Sequence, residues 1–411
     1  MDYPALSEGW DSLAAYHSRL LVHSSNNQNS MKLLIVTECG HYRRVERVLA
    51  PRHFVREISL WARMFDSVVL ITRFPSWQEP ADLVEYGCEN ITFRVGNGAF
   101  GTNLIEVLRS LARSTVAVCK ITREYIRADA VHIRCPSRHG LLALLVWFLA
   151  PKPCYVKWAG NWDFQEGVSW SLRLQRRLVK RMRGAVVATV YGRLDDDPPH
   201  IHETLTTSLN EEEVERCLEL DRKHSPNELR LLWVGRSSSN KNTRVLLDVV
   251  ERVSRAFPLV TLHLVGDGPD LMDLKAEAEA RGIGQRMVFH GSQPWQRLCE
   301  LYASARLLLL PSLSEGFPKV VIEAALFGTP SIVFACGALP NIVKNKGVAV
   351  KPIGDTQKYV QAVLDLLADK ARWEVLSANA RDWASQISIE SVVDGYRRMI
   401  ETSWNVKLLQ G

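Results

Sequence analysis

The chain has 411 residues, 51 Lys and Arg against 45 Asp and Glu, and a formal net charge of +6. At 46% hydrophobic and 23% charged it reads as a globular protein of two domains, which excludes collagen, coiled coil and wholesale disorder. The longest apolar run, Leu141 to Ala150, is shorter than the roughly 18 residues a bilayer span needs, so no span is predicted.

The charge is lopsided. Residues 1–210 carry 26 basic and 20 acidic side chains, and residues 211–411 carry 25 of each. Within 32–183 the count is 24 against 13, an excess of +11. This half is expected to meet a phosphorylated acceptor, a nucleotide or an acidic membrane surface, unless the charge is a solvated face. Eight cysteines are scattered without a C-x-x-C pair, so neither a zinc spacing nor a dense disulfide framework is predicted. Free, mostly buried thiols fit a reducing cytosol. Residues 1–30 hold no signal peptide and read as a loose polar extension, with Met31 as an alternative start.

From Met31 onward, short apolar runs alternate with helical patterns. Lys32–Thr37, Val68–Thr72, Ala130–Ile133, Tyr155–Val156 and Ala185–Val190 read as strands. Helices are expected over Pro51–Phe65, Asn103–Arg127 and Ser171–Arg183. After a charged, turn-rich middle the pattern restarts with strands at Leu229–Val234, Val260–Val265, Met287–His290, Leu307–Leu310 and Ser331–Phe334. Strands alternating with helices predict parallel sheets of β-α-β units. Two such series predict an α/β protein of two doubly wound, Rossmann-like domains facing across a cleft. The expected bounds are 31–205 for the acceptor-side domain, 206–228 for a linker, 229–386 for the second domain and 387–411 for a closing helix.

The most informative stretch is Leu307–Pro330. A buried strand ends at Pro311, and a loop follows with Ser312, Ser314, Glu315 and Gly316. Pro318 suits the first helical position, where its missing N–H costs nothing. A helix runs to Phe327, and Gly328 with Pro330 stops it. Free backbone N–H groups of residues 316–320 at a strand's carboxyl end make an anion site suited to a diphosphate. Glu323 follows Glu315 by about two turns and offers two oxygens to paired sugar hydroxyls. A solvated Glu in a surface helix is the plain alternative. Arg236 and Lys241 flank a serine loop after the strand Leu229–Val234, where two cations can hold a phosphate and offset leaving-group charge. Gly266 and Gly268 permit a tight turn before Pro269.

Gly235-Arg236 with Lys241-Asn242, then Gly266-Asp267-Gly268-Pro269, then Pro311-Ser312 with Glu315 and Glu323 in an E-x7-E spacing, resemble the retaining GT-B glycosyltransferases of family 4. Gly328-Thr329-Pro330, Gly337-Ala338-Leu339-Pro340 and Gly354-Asp355 extend the resemblance, which is close over 229–370 and looser over 31–160. It implies a nucleotide-sugar donor held mainly by the second domain. Glu323 would take the ribose hydroxyls. Glu315 would touch the transferred sugar, with backbone from Gly316, Phe317, Pro318, Lys319 and Val320 on the phosphates. Arg236 and Lys241 would neutralise the leaving diphosphate, so that no metal or other cofactor is required. Gly266 and Gly40 complete the expected donor contacts, and His290–Gln293 should lie near the base. The first domain would take a glycan or lipid-linked acceptor, with no nucleic acid partner. The role implied is surface polysaccharide or glycolipid assembly in the cytoplasm, at the inner membrane face.

Two departures from the family stand out. The loop after the first strand has one glycine, Gly40, where a pair is usual. Ala159 stands where many members carry a sugar-binding His, so Asn161, Trp162 and His132 become the acceptor-side candidates. Gly96–Gly101 matches a dinucleotide motif literally but lies too deep in its domain. Asp195–Asp197 offers an Asp-x-Asp, read first as a solvated loop. Ser171–Arg183 is a basic helix with Leu174, Leu178 and Met182 on one stripe. Its Arg173, Arg176, Arg177, Lys180 and Arg181 face either acidic lipid, a phosphorylated acceptor or plain solvent. The rival functions are a nucleotide-sugar epimerase or phosphorylase of the same fold, and a catalytically silent donor-binding subunit.

Overall fold

The computed structural model of the protein describes residues 30–45, 47–74, 82–96, 104–163, 168–220 and 228–409. The expected extension 1–30 (save Ser30), residues 221–227 of the expected linker and residues 97–101 of the glycine-rich stretch lie outside them.

Two parallel sheets organise the chain. The first has seven strands in the order Ile201–Glu203, Val186–Tyr191, Cys154–Asn161, Ala130–Cys135, Lys32–Gly40, Ser67–Arg73 and Ile91–Val95. The second has six, ordered Met287–Phe289, Val260–Val265, Leu229–Val234, Leu307–Leu310, Ser331–Phe334 and Gly347–Val350. Successive strand residues point to opposite faces, and both faces are covered. Leu33 and Ile35 enter one core and Leu34 and Val36 another. In the second sheet Leu231 and Trp233 face one way, Leu232 and Val234 the other. Near-continuous apolar runs are what a parallel sheet buried on both faces requires.

The sequence reading missed the edge strands Ile91–Val95, Ile201–Glu203 and Gly347–Val350. It also missed a small antiparallel sheet of Tyr42–Arg44, Arg47–Pro51 and Leu83–Glu85. That sheet is the basic continuation after Gly40.

The connection between the two large sheets is pinned at several points. Asn210 and Glu213 form a capping box on the helix Glu211–Glu219. The final helix Ile389–Trp404 lays Ile389, Val393, Tyr396 and Ile400 into a core shared with Leu33, Ile35 and Trp61 of the first half. Its Tyr396 hydroxyl donates to the Leu205 carbonyl at 3.2 Å, and Ile389 N–H donates to the Leu209 carbonyl at 2.8 Å.

Candidate active site

In the second sheet the strand order reverses between Leu229–Val234 and Leu307–Leu310. Connections leave in opposite directions there, which opens a crevice at the carboxyl ends. Two loops on one side of it are stitched together. Gly235 N–H donates to Val265 O at 2.9 Å, and Ser237 N–H to Asp267 O at 2.6 Å. Glycine is required for this approach, since a Cβ on Gly266 would lie 1.8 Å from the Gly235 carbonyl oxygen. Gly266 therefore shapes the loop that carries Arg236. Arg236 is exposed, with no hydrogen bond or ion pair to another described residue.

A single 3-10 turn, Ser239–Lys241, follows. Leu313 N–H donates to Asn240 O at 2.9 Å, and the Asn240 amide donates to Ser314 O at 2.8 Å. This stitching sets Lys241 Nζ 2.6 Å from Glu315 Oε1.

The helix predicted after Pro311 is present as Lys319–Leu326, with Pro318 as its N-cap rather than its first residue. Before it, Gly316 packs on Gly160 of the first half so closely that a Cβ would stand 3.0 Å from the Gly160 carbonyl carbon. The Phe317 ring meets Tyr191 at 5.3 Å between centroids, and Val320 is half-buried against the core. Two turns along, Glu323 is buried. Its Oε2 accepts from the Tyr302 hydroxyl at 2.9 Å, and its Oε1 accepts from Ser208 Oγ at 3.2 Å. Burial raises the Glu323 carboxyl above its ordinary range, against the pull of Tyr302, Lys319 and Ser208.

A cavity of about 960 Å³ lies between the halves. Lys319, Glu323, Ser292, Gln293 and Trp295 line it from the second half, and Arg52, His53 and Arg56 from the first. Ser292 and Gln293 belong to the segment expected near the base. Arg236, Lys241 and Glu315 do not line this cavity; Lys241 and Glu315 pair beyond the strand ends of the same sheet, and Arg236 stands exposed in the loop after Val234. The arrangement therefore separates a pocket bearing Glu323 from a charged group able to act on a phosphate ester.

The first half contributes a charge cluster that the sequence did not announce. Glu57 Oε1 accepts from Arg134 NH1 and from Lys157 Nζ, both at 2.8 Å. Burial alone would raise the Glu57 carboxyl, but the two cations outweigh it and hold it far below the ordinary value. Burial, then the Lys157 charge, pushes Lys319 down to about 8. Burial and Lys319 push His53 down to about 3, so its ring is neutral. Arg52 and Arg56 both clamp Glu213, at 2.9 and 2.5 Å. None of these contacts follows a local sequence period, because the partners lie up to 161 residues apart. The available signal was Arg52, His53 and Arg56 within five residues of a helix start.

Two acceptor-side expectations are corrected. His132 lies mid-strand at 0% exposure, its ring 4.5 Å from that of Trp61 and 4.8 Å from that of Tyr155. Trp162 is also at 0%, and its Nε1–H donates to Asp197 Oδ2 at 2.6 Å. Both are core residues and cannot touch an acceptor. Asn161 is placed at the cleft: its Oδ1 would stand 3.2 Å from a Cβ on Gly337, and it accepts from Asp163 N–H at 3.0 Å. Ala159 is exposed at the same strand end.

Gly40 ends Lys32–Gly40, an inner strand of the first sheet. Its order reverses between Lys32–Gly40 and Ala130–Cys135. Across that reversal His139 N–H donates to Glu38 Oε1 at 3.1 Å, a contact the sequence reading missed.

The Asp195–Asp197 loop is structural. Asp197 is buried, accepts from Leu194 N–H at 2.8 Å, and pairs with Lys180 at 2.7 Å. Lys180 also pairs with Asp196 at 2.9 Å. The basic helix, observed as Trp170–Arg181, is therefore not free of acidic partners. Arg176 lies over the Trp162 ring at 5.3 Å. Arg173, Arg177 and Arg181 are exposed, whereas Gln175, Val179 and Met182 form the buried stripe. Among the described residues no group of three His, Cys, Asp or Glu is placed to hold a metal, and no helix is long and apolar enough to cross a membrane.

Residues 219–383 match the family model of the glycosyl transferases group 1. The D-inositol 3-phosphate glycosyltransferase of Segniliparus rotundus is 31% identical over 176 residues, 41% of this chain and 39% of that protein. The lipopolysaccharide 1,6-galactosyltransferase of Salmonella typhimurium is 34% identical over 136 residues, 33% and 36% of the two chains. The matches thus span well under half the length of these relatives. The whole architecture is the GT-B fold. Anabaena Alr3699/HepE, solved with UDP and glucose, covers 90% of this chain and 100% of its own at TM-score 0.64 and 16% identity. WaaG, a glycosyltransferase involved in lipopolysaccharide biosynthesis, covers 90% and 99% at TM-score 0.60 and 15% identity.

Proposed function

We propose that the protein is a retaining glycosyltransferase of the family 4 type, moving a sugar from a nucleotide diphosphate to a glycan or lipid-linked acceptor. The observation that carries this reading is the strand–loop–helix at the switch point of the second sheet. That segment carries Glu315 in its loop and Glu323 in its helix Lys319–Leu326, and Lys319 and Glu323 line the interdomain cavity.

In this reading Glu323 holds the ribose hydroxyls. Backbone N–H groups of the 316–320 segment hold the phosphates. As the bond from the anomeric carbon to the phosphate oxygen breaks, negative charge grows on the diphosphate. Arg236 and Lys241 supply the positive charge that meets it without a metal. Glu315, exchanged out of its pair with Lys241, accepts from the sugar hydroxyls. The acceptor oxygen, approaching from the first sheet over Ala159, Gly160 and Asn161, forms the new bond to the anomeric carbon, and its proton passes to the departing diphosphate oxygen. Among the relatives, the lipopolysaccharide 1,6-galactosyltransferase supports an acceptor of glycan or lipid type in surface glycan or glycolipid assembly.

A lipid-linked acceptor also fits the exposed face of the helix Trp170–Arg181. Trp170 is 73% exposed beside the three free-facing arginines. The neighbouring helix Arg138–Leu149 exposes Leu145, Phe148 and Leu149. An exposed Trp170 at the start of a helix carrying three exposed arginines suits docking on an anionic bilayer face.

The test is product analysis with a panel of sugar nucleotides and lipid-linked acceptors, reading the new anomeric configuration by proton NMR. Transfer with retained configuration is expected. An inverted linkage, an epimerised free nucleotide sugar, or binding without turnover overturns the reading.

A further inference from the structure

We propose that Ser208, in the connection between the two sheets, is a positioning residue that orients the Glu323 carboxylate for a vicinal diol, and that Arg56 of the first half acts on donor recognition through it. This rests on the reading of Glu323 as the ribose ligand.

A carboxylate offers about four lone-pair directions, two on each oxygen. Two protein hydroxyls take one direction on each: Ser208 Oγ on Oε1 at 3.2 Å and Tyr302 on Oε2 at 2.9 Å. One direction on each oxygen is left for a ligand. That is the pattern two adjacent ribose hydroxyls fill. The last torsion of a glutamate is soft and roughly two-fold. With a single donor the carboxylate can turn about its Cγ–Cδ bond, and the two remaining acceptor directions no longer stay matched to a diol.

Ser208 can hold this geometry because its own backbone is held. The Arg56 guanidinium donates to the Ser208 carbonyl oxygen at 2.6 Å. The same guanidinium forks onto Glu213 at 2.5 and 2.9 Å. Glu213 in turn accepts from Asn210 N–H at 3.2 Å, two residues beyond Ser208. A bonded path therefore runs from the helix Arg52–Arg63 of the first half, through Ser208, to the helix Lys319–Leu326 of the second. Arg56, Ser208, Glu213 and Glu323 all line the same cavity. Ligand recognition by the second sheet thus depends on a residue outside it, placed by the first half.

The experiment uses the whole protein and compares affinities for UDP and 2′-deoxy-UDP, and for GDP and 2′-deoxy-GDP, by calorimetry. A site built to bond a hydroxyl rejects the analogue that lacks it, so the parent should prefer the ribonucleotide of the accepted base by about tenfold. Ser208→Ala should reduce that preference to about twofold, and Ser208→Thr should restore it. Arg56→Ala should lower it as Ser208→Ala does, with no further loss in the double variant, since both changes act on one path. The ratio compares two ligands on one variant, so general loosening cancels. A parent that discriminates while Ser208→Ala keeps the same ratio overturns the proposal. A parent that binds the diphosphates without discriminating overturns instead the assignment of ribose to Glu323.

Discussion

Lys241 Nζ lies 2.6 Å from Glu315 Oε1, so the cation assigned to the leaving diphosphate and the carboxylate assigned to the transferred sugar are paired with each other. Donor binding has to exchange this pair for contacts to phosphate and sugar. In the proposed scheme Lys241 and Arg236 act on charge that grows as the bond breaks, so their loss should fall on turnover. Lys241→Met is expected to lower kcat by about 10²–10³-fold. Arg236→Met should do the same at unchanged Tm, since Arg236 is exposed. Turnover should persist in EDTA. Steady-state kinetics and a chelator titration check both, and manganese rescue of a chelated enzyme counts against the scheme.

Glu323→Gln keeps the shape and removes the charge. Free nucleoside diphosphate should bind about 1–3 kcal/mol more weakly, the usual worth of hydrogen bonds to a charged group. Tm should hold or rise, because the variant removes a buried carboxylate whose ionised form burial disfavours. Calorimetric titration alongside thermal melts separates the two effects. Undiminished nucleotide affinity contradicts the assignment.

Glu57 has the opposite character. It is the counter-charge for two buried cations, so Glu57→Gln should cost about 3–5 kcal/mol of stability at pH 7. Its folded carboxyl is held well below the ordinary value of 4.5. The stabilisation is therefore fully present above about pH 4.5 and is lost as pH falls below it. Urea unfolding should show parent and variant far apart at pH 7 and converging toward pH 3. A constant gap across that range refutes the linkage.

The membrane-docking reading gives a salt-dependent outcome. Arg173, Arg177 and Arg181 are each worth about 1 kcal/mol near an anionic surface. The triple glutamine variant should leave anionic vesicles that the parent sediments with, and 0.5 M salt should release the parent too. Lys180 is held by Asp196 and Asp197, so Lys180→Gln alone should release little. Trp170→Ala tests the apolar share. A parent that ignores anionic vesicles at low salt rejects the docking surface.

The second sheet was the more legible half. Leu229–Val234, Val260–Val265, Leu307–Leu310 and Ser331–Phe334 stand where the sequence placed them. Each is a short apolar run, the first three closed at once by glycine or proline, and such runs stand out in a sequence. The edge strands Ile91–Val95, Ile201–Glu203 and Gly347–Val350 are three to five residues long and only partly buried, and escaped notice. The candidates that lie along contiguous chain, Arg236, Lys241 and the 315–323 loop and helix, could be proposed in order because their elements are local. The Glu57–Arg134–Lys157 cluster and the Ser208 bridge could not, because their geometry exists only once distant segments are folded together. His132 and Trp162 were misplaced for a related reason. A polar-capable ring near a strand end looks the same in sequence whether it faces the cleft or the core.

Lys319 supplies the sharpest pH test. Its ordinary value of 10.5 is pushed down to about 8, first by burial and then by Lys157. The ammonium is thus disfavoured in the folded protein, and the stability it withholds returns as pH rises from about 8 toward 10.5. Binding carries the opposite sign. Lys319 lines the cavity with Glu323, and if its ammonium joins the backbone N–H groups in holding the proposed diphosphate, affinity should be full below pH 8 and fall as pH climbs through it. If the bound anion raises the pKa by one unit, the fall is about tenfold. Lys157 is also pushed to about 8 by burial, but its Nζ is held by Glu57 and its side chain is only 3% exposed. Lys319→Met should therefore flatten the affinity profile between pH 7 and 10 while leaving the Lys157 contribution to stability in place. A profile equally steep in parent and variant assigns the titration to another group and removes Lys319 from the phosphate site.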